Sequence, residues 1–178
     1  MILLSLDPGR VVGWALFDFE ILFRFGQFPI HSAKGLQAEI AAVLKGEAGY
    51  PLPPPGRRFP MRPGLAILEE GSVRYHVNHR GAVGEHKIYR DMMKNTEYRR
   101  VLAAVLLKEG VPSLGVSPEE WGSAENVGLR ARAELERGHI DVPSNFDLPA
   151  REHERDAVVI GGWCARRKVW RADAGGVF

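Results

Sequence analysis

Residues 3–18, LLSLDPGRVVGWALFD, decide the fold. The opening run is apolar on alternate and intervening positions alike, as in a strand buried on both faces, and it stops on Asp7. Asp, Pro and Gly are the residues a tight turn takes at its first positions, so Asp7-Pro8-Gly9 predicts a reversal and residues 11–18 a returning strand. A carboxylate is thereby fixed at a strand terminus. Residues 21–28 (ILFRFGQF) add a third strand, and the opening reads as an antiparallel three-stranded meander.

Working outward, residues 35–46 carry Leu36, Ile40, Val43 and Leu44 at helical spacing, with Gly46 as a stop. YPLPPPGRRFPMRPG (50–64) has too many prolines for a helix or a central strand and reads as an exposed basic loop. LAILE (65–69) is a short apolar strand that runs into the acidic pair Glu69 and Glu70. Strand, helix, strand implies a parallel pairing beside the first strand. Residues 71–86 read as a second loop, rich in His and Arg. Residues 87–109 read as a long helix with Val101, Leu102, Val105 and Leu106 on its buried end, and 112–117 as a fifth strand. Two helical pieces (117–127 and 129–138), a loop (141–149) and a closing helix (150–168) complete the chain.

With 178 residues the chain reads as one domain, 1–178, able to bury a core. No stretch suits a bilayer, and the N-terminus lacks the zones of an export signal, so a cytoplasmic protein without a membrane partner is expected. The single Cys164 excludes an internal disulfide and a cysteine-based zinc site, and it falls where a core thiol is expected. A net charge of +2 does not announce a nucleic-acid binder. Its distribution is more telling: residues 51–100 hold ten Lys or Arg against five Asp or Glu, and this third carries all of the positive excess.

Chemistry is expected where the acids meet. Asp7 and Glu69 end neighbouring strands, and on the closing helix His153 and Asp156 are three residues apart, on the face that continues through Ile160 and Cys164. If that face packs on the sheet, four side chains from three separated segments converge. Like charges so gathered need a compensating cation, and oxygen-rich ligands select Mg2+ or Mn2+. Two such ions about 3.5–4 Å apart clamp the attacking water and the leaving oxygen in phosphodiester hydrolysis. With His153 among the ligands, activity is expected to fall in mild acid. Each piece alone also has a plain structural reading as a turn, a solvated strand end or a charged first helical turn; the joint pattern carries the weight.

Together these motifs resemble the RuvC-type Holliday-junction resolvases, members of the RNase H-like nuclease superfamily, over most of the chain. The family opens with an apolar strand, Asp-Pro-Gly and a downstream Gly-aromatic segment, as in LSLDPGRVVGWALFD. It continues with a Glu that closes the fourth strand, matched by PGLAILE, which selects Glu69 over Glu70. Its last helix carries an acid or His, two residues, then Asp-Ala, matched by HERDAVVIGGW. The resemblance implies an α/β, RNase H-like fold: a five-stranded mixed sheet, meander first and two parallel strands after it, with helices on both faces. It implies Asp7, Glu69, His153 and Asp156 as catalytic metal ligands holding two ions per site, and a homodimer that matches the two-fold symmetry of a four-way junction, with helix 87–109 as the expected dimer surface. Gly122 stands, after Trp121, where the family has a Lys; Arg130 or Arg132 is the candidate replacement. Ser72 and Val73 stand where the family places an aromatic that stacks on bases, with Tyr75 the candidate further along.

Charge then suggests the DNA contacts. Arg57, Arg58 and Arg62 on one loop, and Arg74, His76, His79, Arg80 and Lys87 around the next, flank Glu69 in the sequence. Other readings within the superfamily are a ribonuclease H, a terminase-type nuclease, a YqgF-like nuclease and a catalytically silent DNA-binding relative. An actin-like or sugar-kinase ATPase also opens with a strand-Asp-Gly hairpin, but it needs a second Gly-rich phosphate segment and far more chain.

Overall fold

Strands β1 (Ile2–Asp7), β2 (Val11–Asp18) and β3 (Ile21–Pro29) form the expected meander in a computed structural model that describes residues 1–19, 21–51, 62–70, 85–117 and 151–167. β1 pairs antiparallel with β2 from Ile2↔Asp18 to Asp7↔Gly13, and β2 pairs antiparallel with β3 from Val11↔Pro29 to Asp18↔Ile21. The register of the second pair shifts between Leu16 and Phe17, where Phe23 is the extra residue of a bulge.

Helix α1 (Ala33–Lys45) follows, with the Ser32 hydroxyl accepting a hydrogen bond from the Gly35 amide at 3.0 Å and Gly46 closing the other end. Next come β4 (Tyr50–Pro51), β5 (Leu65–Glu69), α2 (Glu85–Lys108), β6 (Ser113–Val116) and α3 (Glu152–Arg167). The sheet order is β4-β3-β2-β1-β5-β6, with β5 parallel to β1 and β6 parallel to β5. The five expected strands are therefore in the expected order. β4 adds a two-residue edge that pairs only with Arg24 and Phe25, and its Pro51 suits an edge because a proline cannot donate to a further strand.

Alternation along the strands splits the core into two layers. Leu3, Ala15, Phe17, Leu65 and Ile67 pack beneath α3 with Ala157, Val158, Ile160 and Cys164. Leu4, Leu6, Trp14, Leu16, Ala66 and Leu68 pack on the other face with Leu36, Ile40 and Val43 of α1 and Leu102 and Leu106 of α2. Cys164 is fully buried, as expected of a core thiol. Helices thus cover both faces, and among the described residues no helix is long and apolar enough to cross a membrane.

Two arginines terminate helices. Arg24 donates through Nη1 to the Gly46 carbonyl at the end of α1, while Arg62 Nη2 donates to the Glu109 and Gly110 carbonyls at the end of α2, each at 3.2 Å. Cations there complement the negative end of a helix. The loops at 52–61 and 71–84 and the segments expected as helical pieces and loop between 118 and 150 lie outside the described residues.

Candidate metal centre

Strand parity selects which acids meet. In β1, Leu3 and Ser5 face α3 and so does Asp7; in β5, Leu65 and Ile67 face α3 and so does Glu69. The parallel register Leu3↔Leu65, Ser5↔Ile67 brings Asp7 and Glu69 side by side at the ends of adjacent strands. Glu70, one residue on, faces the other layer, where its carboxylate pairs with Arg99 of α2.

The start of α3 roofs this edge, and its height is set by backbone contact. Gly13 lies opposite Asp7 in the β1–β2 ladder, and a Cβ built on it would run into the carbonyl of His153. One turn further on, the buried Ser5 hydroxyl donates to the Ala157 carbonyl at 2.6 Å, tying the helix to β1. Gly9 completes the seat with its Cβ direction 3.8 Å from His153 Cε1. So docked, α3 delivers His153 and Asp156 onto the two strand ends.

His153 Nδ1 lies 2.6 Å from Asp7 Oδ2. Asp7 is buried, whereas the His153 side chain is 40 % exposed. A ring Nδ1–H donated to a carboxylate fixes the tautomer and leaves Nε2 as the nitrogen with a free lone pair. The hydrogen bond to Asp7 raises the His153 pKa, against the opposing effect of burial. Burial, then the charge of Asp7 and a hydrogen bond with it, push the Glu69 carboxyl far above the ordinary range, and Asp156 adds to this. Asp156 is pushed up to about 7, by burial first and by the charge of Asp7 second, although Arg155 Nε lies 3.9 Å from its Oδ1 and acts the other way.

Asp7, Glu69, His153 and Asp156 thus form one electrostatically linked cluster that holds more acid than its surroundings neutralise. This donor set, hard oxygens with one imidazole and a surplus of negative charge, fits a divalent cation. Among the described residues no three such donors converge on one point as a finished cage. Asp7 is instead in direct contact with Glu69 and His153.

The candidate DNA contacts fare differently. Arg62 precedes β5, so the strand separates it from Glu69 by roughly 20 Å at about 3.3 Å per residue. Its guanidinium serves the α2 carbonyls. Nearness in sequence misled here, because a strand carries its two ends to opposite edges of the sheet. Lys87 lies in the first turn of α2, with its side chain outside the described residues; Arg57, Arg58, Arg74, Tyr75, His76, His79, Arg80, Arg130 and Arg132 lie wholly outside them. On the carboxylate edge the structure supplies cations that the loop-centred reading missed. Arg10 is exposed in the turn after Asp7 and its carbonyl accepts from the Ile30 amide at 2.8 Å, and Lys34 is exposed in the first turn of α1, whereas Arg151, just before α3, pairs with the buried Glu154 at 3.5 Å. The signal for Arg10 was its place in the Asp-Pro-Gly turn itself.

No family model matches the chain. No curated protein matches it either. Solved structures do. The chain is similar to Thermus thermophilus RuvC in complex with Holliday junction substrate, with a TM-score of 0.61 and 16 % identity over 96 % of each chain. It is also similar to a Thermus thermophilus RuvC structure, with a TM-score of 0.59 and 18 % identity over 96 % of this chain and 97 % of that one. The likeness is one of fold: the described residues have the RuvC-type, RNase H-like architecture.

Proposed function

We propose that this protein is a divalent-metal-dependent endonuclease that hydrolyses phosphodiesters in branched DNA, with the four-way junction as its substrate and a homodimer as its working form. The observation that supports the reading is the linkage of Asp7 with Glu69, His153 and Asp156 by hydrogen bonds and charge, drawn from two parallel strand ends and the helix laid across them, on a fold similar to that of RuvC in complex with Holliday junction substrate.

Asp7, Glu69, Asp156 and Nε2 of His153 are the donors that would hold Mg2+ or Mn2+. When bound, such ions supply a more acidic water and a charge that offsets the negative phosphate. The chain's own residues do the rest. Asp7 orients the imidazole of His153 through Nδ1, so that Nε2 faces the reacting side in one tautomer. The Gly13 seat and the Ser5–Ala157 hydrogen bond hold the helix that carries His153 and Asp156 against the strands. Arg10 and Lys34 rim the same edge and would hold backbone phosphates beside the scissile bond. A two-fold dimer places two such sites symmetrically on a junction.

The test is cleavage of a synthetic four-way junction beside flap, RNA–DNA hybrid and plain duplex substrates, with and without Mg2+ or Mn2+, for the wild type and Asp7→Asn. Metal-dependent cutting of the junction alone, lost in Asp7→Asn, is the expected result. Preferred cutting of the hybrid would assign the chain to a ribonuclease H-like activity instead, and cutting retained in Asp7→Asn would overturn the site.

A further inference from the structure

Glu70 has no part in the metal centre, yet its side chain is held as deliberately as that of Glu69. It folds over β6 at Gly115, where a Cβ would run into its carboxylate, and meets the guanidinium of Arg99 on α2. Its amide donates to the Val116 carbonyl at 2.8 Å, so the backbone at the end of β5 is fixed as well. We propose that the Arg99–Glu70 pair, seated on Gly115, is a positioning latch for Glu69, and through it for the metal centre; this rests on Glu69 being a metal ligand.

The argument is geometric. Glu69 and Glu70 lie at a strand end, where the chain leaves the sheet and loses the ladder that would hold its direction. Consecutive side chains in a strand point to opposite faces, so fixing Glu70 on the α2 face fixes the peptide between them and aims Glu69 at the α3 face. Two anchors do this: the amide on β6, which sets the strand in the sheet, and the carboxylate on Arg99, which sets its rotation. Gly115 is what lets the second anchor form, because any side chain at that position would occupy the path Glu70 takes to α2. The pair is partly open to solvent, with Arg99 31 % and Glu70 44 % exposed, and ion pairs of that kind add little to global stability. Its value lies in direction, and this separates it by experiment from a contact that merely stabilises the fold.

The experiment is a Mn2+ titration of the full chain, followed by calorimetry and by the rise in Tm, for the wild type, Glu70→Gln, Arg99→Ala and the swap Glu70→Arg/Arg99→Glu, with kcat and KM for junction cleavage measured alongside. Groups that orient a metal ligand from outside typically cost 10–100-fold when removed, so each single variant is expected to need about 10-fold more Mn2+ for half-saturation and to lose about 10-fold in kcat. KM for DNA and the metal-free Tm stay near wild type, and the swap recovers most of the loss. A wild-type Mn2+ midpoint in Arg99→Ala overturns the latch and leaves the proposed function standing. A fall in metal-free Tm without a change in midpoint also overturns it. A wild type that binds no Mn2+ removes the metal reading and the latch together.

Discussion

The two ends of β1 and β5 are built from similar residues and do opposite things with them. At the lower end these charges have local partners: the amino group of Met1 pairs with Asp18 at 3.1 Å, and Arg62 lies on the carbonyls that end α2. At the upper end Asp7, Glu69 and Asp156 crowd together with one half-exposed histidine among them. A charge with a local partner is part of the scaffold, whereas a charge left in surplus marks the place where something from solution must bind. The comparison separates Arg62 from Arg10, and Glu70 from Glu69, more sharply than composition does.

The largest effect is expected from the surplus itself. Asp7→Asn removes the residue that touches both Glu69 and His153, and cleavage in the presence of Mg2+ should fall on the order of 10³-fold, as when a preorganised charge-stabilising group is lost. Far-UV circular dichroism should be unchanged, and full turnover would take Asp7 out of catalysis. Gly13→Ala tests the roof: the added methyl meets the His153 carbonyl, α3 must lift, and a displacement of about 1 Å is expected to cost roughly 10²-fold in kcat. Normal activity in that variant would show that the site tolerates a raised helix.

The surplus also fixes the sign of the pH dependence. Asp156 has its pKa raised from 3.8 to about 7, so between those values the folded chain holds a proton that the unfolded chain releases. Stability of the metal-free protein therefore falls as pH rises from about 4 to about 7, on the order of 2 kcal/mol once partial solvation is allowed for. His153, raised by its bond to Asp7, acts in the same sense: its stabilising protonated form is complete below the unfolded pKa and is lost as pH climbs through the folded one. Thermal unfolding from pH 4.5 to 8 should show the decline, Asp156→Asn should make it shallower while the raised Glu69 keeps its own share, and Mn2+ should raise Tm more at pH 8 than at pH 5.5. A metal-free Tm that rises over this range would contradict the cluster. The smallest effects set the two arginines apart. Arg62→Ala should lower stability by about 1 kcal/mol with DNA binding intact. Arg10→Ala should leave stability alone and reduce the slope of log Kd against log salt by about 1. The reverse pattern would exchange their roles.

The architecture was legible because its signals are local. Apolar runs, a proline-glycine turn and helical spacing identify β1–β3, α1, β5, α2, β6 and α3 to within a few residues of where they lie. β4 was not legible, since two residues ending in proline leave no periodicity to read. The choice of Glu69 over Glu70 came from a resemblance, yet it follows from counting by twos: Leu3, Ser5 and Asp7 share a face, and so do Leu65, Ile67 and Glu69. The separation of Arg62 from Glu69 was not read, because loop membership says nothing of position, although a parallel β5 implies that its two ends lie apart. The 2.6 Å contact between Asp7 and His153 was beyond reach, because it depends on how far the helix settles onto β2 and on a single ring orientation.

That settling joins main chain to main chain, Gly13 under the peptide of His153. Such a seat depends on few side chains. Apolar residues beneath α3 can be traded for others of similar bulk while the helix stays where it is, whereas Gly13, Gly161 against Phe17 and the Ser5 hydroxyl on the Ala157 carbonyl are held fast. A fold pinned in this way can keep its outline beside a solved structure with which it shares 16 % identity.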